Sequence, residues 1–123
     1  MDIRGGGIVS KDTFNTVNKF LGYGFAAQMI FIPKMFFDMN FDETYSKMVE
    51  FLMRFMGYYL ALFNHVNSSL DTDQQFLNGM LATAGATVLG PISAELMFKT
   101  KPAHKLPCIL LPATLAVGAL AMM

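Results

Sequence analysis

Leu106 to Met123 is a run of 18 residues without one charged side chain, and no other feature of this chain restricts its fold as tightly. A surface helix of a soluble bundle carries a polar face; this run has none. Three further runs resemble it with few interruptions. Phe20 to Phe37 is broken only by Gln28 and Lys34, Met48 to Val66 carries Glu50, Arg54 and His65, and Phe76 to Phe98 carries Glu95 near its end. Roughly 20 apolar residues at about 1.5 Å each cross a bilayer core. The runs are long and do not alternate, which favours helices over barrel strands. The expected fold is therefore all-α, a four-helix transmembrane bundle with short loops. It divides into a polar N-terminal tail, residues 1–19, and a membrane domain, 20–123, with spans at 20–37, 48–66, 76–98 and 106–123.

Composition agrees. The chain is 54% hydrophobic, with 12 Phe and 11 Met, and only 15% charged against a soluble norm of about 25%. Its formal net charge is zero and no Lys/Arg-rich run occurs, so nucleic acid is not an expected partner. Cys108 is the only cysteine; an intramolecular disulfide and a cysteine-based zinc site are excluded on that count, and no metal is expected. The opening "MDIRGGGIVSKDTF" lacks the charged and apolar regions of a secretory signal.

Within the apolar runs, small residues recur. "FLGYGFAA" and "FMGYYLAL" share Phe, Gly, Tyr and the Ala four residues after Gly, and "FLNGMLAT" starts alike. Gly22 and Ala26, Gly57 and Ala61, Gly79 and Thr83 are i, i+4 pairs, the spacing by which membrane helices bring their backbones together. In the third run Ala86 and Gly90 extend the stripe. Repeated small and aromatic positions offer no ligating atoms, so packing is the expected role. Pro91 lies mid-span and removes a bond to the Thr87 carbonyl, which predicts a kink.

The first and third connections must lie on one side of the membrane, which brings Lys34, Glu50, Arg54 and Glu95 to one level. Glu50 and Arg54 form an i, i+4 pair in the favoured order. At 100° per residue Glu95 departs by nearly half a turn from the Gly79/Gly90 stripe, so it is expected to meet lipid headgroups or another subunit. His65 closes the second run on the opposite side, with Asn64 beside it, and His104 lies in the third connection. The two imidazoles stand about 30 Å apart by bilayer thickness and cannot share a metal. Either histidine, His65 above all, is a candidate axial ligand for a chlorophyll magnesium or a haem iron.

The arrangement "RFMGYYLAL" in a second helix, a short polar turn and a Gly/Ala-rich third helix resembles the small four-helix membrane proteins of the DoxX-like type, over residues 20 to 120. That resemblance implies a protein acting beside other subunits, some of them redox systems, with Arg54 as a helix-start arginine and Gly57 as a packing glycine. No protease, hydrolase or P-loop motif is present. The expected function is thus a non-catalytic accessory subunit of a large membrane complex. A photosystem–antenna assembly in a thylakoid, with chlorophyll and carotenoid as candidate cofactors, comes first. A respiratory complex of the mitochondrial inner membrane, or a small transporter or channel, is the alternative. Expected partners are neighbouring subunits and lipids.

Overall fold

The computed structural model describes residues 10–122; the first nine residues of the expected tail and the last residue of the fourth span lie outside them. The described chain is helical. Helix α1 spans Lys11–Phe31, α2 Pro33–Asn40, α3 Lys47–Asn67 and α4 Thr72–Thr87; a π turn, Val88–Ile92, leads into α5, Ser93–Met97, and a 3₁₀ turn, Pro102–His104, into α6, Lys105–Ala121. Three helix starts have a local cause. Ser10 Oγ accepts from the Thr13 amide at 3.1 Å, Ser46 Oγ from Val49 at 3.1 Å, and Asp71 Oδ1 from Gln74 at 2.9 Å. Each satisfies an amide that the first turn leaves open.

Two expectations about the first run are corrected. Helix α1 begins at Lys11, well inside the expected tail, because the Ser10 cap and Asp12 start it before hydropathy rises. It also does not continue to Phe37. Ile32 leaves the helical region (φ −133°, ψ 53°) and Pro33 opens α2, with the two helices at 108°. The residue before a proline is sterically disfavoured in the α conformation, and Pro33 sits where its missing amide costs nothing.

Helix α1 is the centre of the molecule, packing against α3, α4 and α6, while α4 packs against α6. Two helices, Thr72–Met97 and Pro102–Ala121, are long and apolar enough to cross a membrane; a third is added if the bent α1–α2 pair counts as one span. Helix α3 does not reach that apolarity, since Glu50, Arg54, Asn64 and His65 dilute it. The expected four spans are therefore two or three by length and composition, consistent with an integral membrane protein. The solvent pattern is inverted in the same sense. Phe20, Phe31, Leu89 and Leu96 are more than 70% exposed, while Asn40, Asn64, Thr83, Thr87 and Thr114 are buried. These groups are bonded internally: Asn18 Nδ2 donates to Thr83 Oγ1 at 2.6 Å, and the Thr87 and Thr114 hydroxyls donate to carbonyls one turn earlier, whereas the buried His104 imidazole has no partner among the described residues. Buried polar groups bonded in this way under an apolar exterior suit a lipid surround, where an open polar group has no water to bond.

The irregularity at Pro91 falls where expected, as a widened turn that leaves Thr72–Met97 one helix. The Ser93 hydroxyl takes up the Val88 carbonyl at 2.8 Å. Beyond it, the chain closes on itself. An antiparallel bridge pairs Phe41 with Thr100; the Asp42 amide donates to the Lys99 carbonyl at 2.8 Å and the Lys101 amide to the Asn40 carbonyl at 3.0 Å. The α2–α3 and α5–α6 connections thus lie side by side.

Candidate functional site

The α1–α2 elbow opens a cleft of about 610 Å³ whose apolar wall includes Phe31, Met35 and Met39 and whose charged residues are Lys34, Asp38, Glu50 and Arg54. Why the charges gather here follows from the break at Ile32. Ending α1 orphans its last carbonyls, and Arg54 Nη1 donates to one of them, that of Ile30, at 2.9 Å. Arg54 Nε also stands 3.8 Å from Glu50 Oε2, the expected i, i+4 pair, and Lys34 Nζ 2.6 Å from Asp38 Oδ2. Two cations and two anions therefore neutralise each other in pairs. The Tyr45 hydroxyl donates to Glu50 Oε1 at 3.1 Å; partial burial foremost, and then this hydrogen bond, hold its phenol above the ordinary tyrosine value. Chemically the cleft is a balanced, amphipathic recess with its charges already engaged.

Arg54 is thus a clamp on the elbow. Arg54→Met removes this donor from the Ile30 carbonyl and leaves Glu50 with the Tyr45 hydroxyl alone. It should lower unfolding stability in detergent by about 1 kcal/mol, below the usual value for a charged hydrogen bond because the group is half exposed. Denaturant unfolding checks this; a midpoint equal to that of the parent protein removes the clamp.

Glu95 lies apart from this cleft and is exposed, turned away from the buried face as expected. The carboxylate meets the start of α6. Lys105 Nζ donates to Glu95 Oε1 at 2.8 Å, Thr100 Oγ1 at 3.4 Å and the Cys108 thiol at 3.8 Å. A cationic partner, Lys105, is thus supplied by the same chain. His104, 3% exposed, packs beneath Phe41 with ring centroids 5.2 Å apart. Donor atoms of Glu95, His104 and Cys108 lie within 4.8 Å of one another.

The remaining expected residues sort by helix face. Gly57 meets α1 closely: a Cβ there would stand 2.8 Å from Met29 Cβ and 3.1 Å from the Ala26 carbonyl oxygen. Gly22 lies against the Asn64 side chain. Gly22 and Ala26 on α1 therefore oppose Asn64 and Gly57 on α3, with half-buried Ala61 between them. Gly79 faces Phe14 and Asn18, and Thr83 bonds Asn18. The stripe then ends. Ala86 is exposed and Gly90 has nothing within 4 Å of an added Cβ, because the buried face passes to Thr87, Pro91 and Ala94. Asn64, expected beside a cofactor, is an interhelical contact whose amide donates to the Leu60 carbonyl at 2.9 Å. His65 is exposed in the last turn of α3, at the opposite end of that helix from the bridge that covers His104. Cys108 and Gly118 were not among the expected residues. The signal for Cys108 is its spacing: His104 and Cys108 are four apart at the entry to a helix, hence one above the other.

Comparison with protein-family models, with curated proteins and with solved structures returns no match for this chain.

Proposed function

We propose that this chain is a non-catalytic accessory subunit embedded in a larger membrane complex, holding neighbouring subunits through the outer face of α3. The observation that carries the reading is the aromatic ladder on that face. Phe51, Phe55, Tyr58 and Tyr59 are each at least half exposed, yet their rings already pack in series, Phe51 on Phe55 at 5.9 Å, Phe55 on Tyr59 at 4.8 Å and Tyr58 on Tyr59 at 6.2 Å. Helix α3 packs on α1 and α2 and leaves this ladder uncovered. Lipid alone suits it poorly, because α3 lacks the apolarity of a free span and carries the half-exposed Glu50–Arg54 pair. Rigid aromatic side chains are the groups that anchor protein contacts at small entropic cost.

Within this class the photosystem–antenna assembly of a thylakoid remains our reading, supported by the outward imidazole of His65 at the end of the same helix and by aromatic surface suited to chlorophyll or carotenoid. The DoxX-like resemblance, through Arg54 and Gly57, fits an accessory role equally. A channel is disfavoured by position: Lys34, Glu50 and Arg54 share one cleft at one end and are paired there.

Mild-detergent purification of the tagged full chain from its native membranes, followed by native electrophoresis and absorption spectroscopy, tests this. The chain should migrate with a large assembly, and Phe55→Ala with Tyr59→Ala should release it while its own helical content is retained. Pigment bands would identify a photosynthetic complex and haem bands a respiratory one. Migration as a lone chain, or full retention of the double variant, would sink the proposal.

A further inference from the structure

We propose that Glu95, His104 and Cys108 form a binding site for a divalent cation of the zinc class, with three protein ligands and an open fourth position. Oxygen, nitrogen and sulfur donors lie within 4.8 Å of one another. Tetrahedral zinc, with bonds of about 2.0–2.3 Å, sets its ligand atoms about 3.3–3.6 Å apart, so closing the site asks for roughly an ångström of side-chain movement. The two groups that would move have room: Cys108 is only partly buried and the Glu95 side chain is 33% exposed. His104 is the fixed member.

The independent observation is the state of that imidazole. It is 3% exposed, and neither Nδ1 nor Nε2 has a hydrogen-bond partner among the described residues. A buried, unpartnered polar group is costly and rare. Coordination through one nitrogen would offset that cost, and the neutral imidazole is the common form of a histidine ligand. The Lys105–Glu95 pair explains the carboxylate by itself but leaves the imidazole and the thiol unexplained. It also shows what Glu95 Oε1 attracts, since an ammonium, a hydroxyl and a thiol all direct hydrogens at it.

A mixed sulfur, nitrogen and oxygen set is of intermediate softness and suits zinc better than calcium or magnesium, which take oxygen ligands. On binding, the Cys108 thiol releases its proton to water and becomes the thiolate ligand. The thiolate and carboxylate then neutralise the dication. Lys105, whose side chain is 63% exposed, is free to turn outward from the displaced ion pair. Water fills the fourth position. The exclusion of zinc by a single cysteine holds only for sites built from several thiolates; one thiolate among mixed ligands is a different case. The two histidines need not meet for this site to form.

Cobalt(II) titration of the detergent-solubilised full chain, under a phosphine reductant that keeps Cys108 reduced, reads the proposal directly. One equivalent per chain should produce a thiolate-to-cobalt charge-transfer band with tetrahedral visible absorption, and equimolar zinc should abolish both. Cys108→Ser should remove the charge-transfer band, and Glu95→Gln and His104→Gln should each weaken binding at least about tenfold, the loss that even supporting residues of metal sites cause. Exposed His65→Gln should change nothing. His104 is buried, so the Cys108 and Glu95 variants decide the test if the His104 variant does not fold. Absence of the band in the parent protein, its persistence in Cys108→Ser, or half an equivalent of cobalt bridging two chains would each overturn the site.

Discussion

Phe14→Ala is expected to lower unfolding stability in detergent by about 3–5 kcal/mol, the range for truncating a buried aromatic ring. Phe14 has no exposed surface. Its ring meets Phe76 edge-on with centroids 5.0 Å apart, and Met80 and Val117 pack around the cluster that includes Ala121. Two glycines make room for it: an added Cβ would lie 3.0 Å from the ring at Gly79 and 2.8 Å at Gly118. One side chain of α1 therefore keys together the start of α4 and the end of α6. Alanine would leave a cavity among three helices, and backbones already in close approach cannot collapse further to fill it. Phe20→Ala is the matched comparison, since Phe20 is 75% exposed. Reversible denaturant unfolding of both variants decides; similar small losses would mean that the Phe14 cluster is not the core.

Gly57→Leu should be nearly as damaging, at or beyond the upper end of the roughly 1–3 kcal/mol typical of overpacking. The obstruction includes backbone. The Ala26 carbonyl oxygen cannot swing aside as a side-chain end would, so α3 must move away from α1. Gly24→Leu is the same substitution where nothing lies within 4 Å, and it should insert and accumulate normally. Membrane levels and thermal unfolding of the pair separate close packing from mere loss of glycine. Equal behaviour would show that the α1–α3 contact has slack.

These two residues also mark how far sequence reading reaches. The Gly57 and Gly22 contacts were legible because small residues at i, i+4 have one dominant use between apolar helices. The same rule extended to Gly90 failed, since a rule of faces depends on constant helical phase and the π turn at Val88 breaks it; Ala86, ahead of that turn, is exposed because the buried row runs through Gly79, Thr83 and Thr87. Hydropathy located the last two spans closely, but it placed the start of α1 too late, because an N-cap and a first acidic turn are independent of apolarity. It also ran through Ile32, where the clash ahead of Pro33 outweighed an unbroken apolar run. Phe14 was hidden altogether. It lies before the first apolar run, and its notch is made by glycines from two helices far along the chain. Cys108 beside Glu95 was hidden likewise, because the contact joins α5 to the start of α6 across a connection.

The bridge between Phe41 and Thr100 bears on how the chain is made. Its two residues belong to connections separated by α3, α4, the π turn and α5, so neither amide finds its carbonyl until the chain has been made as far as Lys101. A chain emerging in order therefore completes α1, α2 and α3 with the Asp42 amide and the Asn40 carbonyl still lacking these partners. The bridge is a late contact that ties the first half of the chain to the second only once both are made.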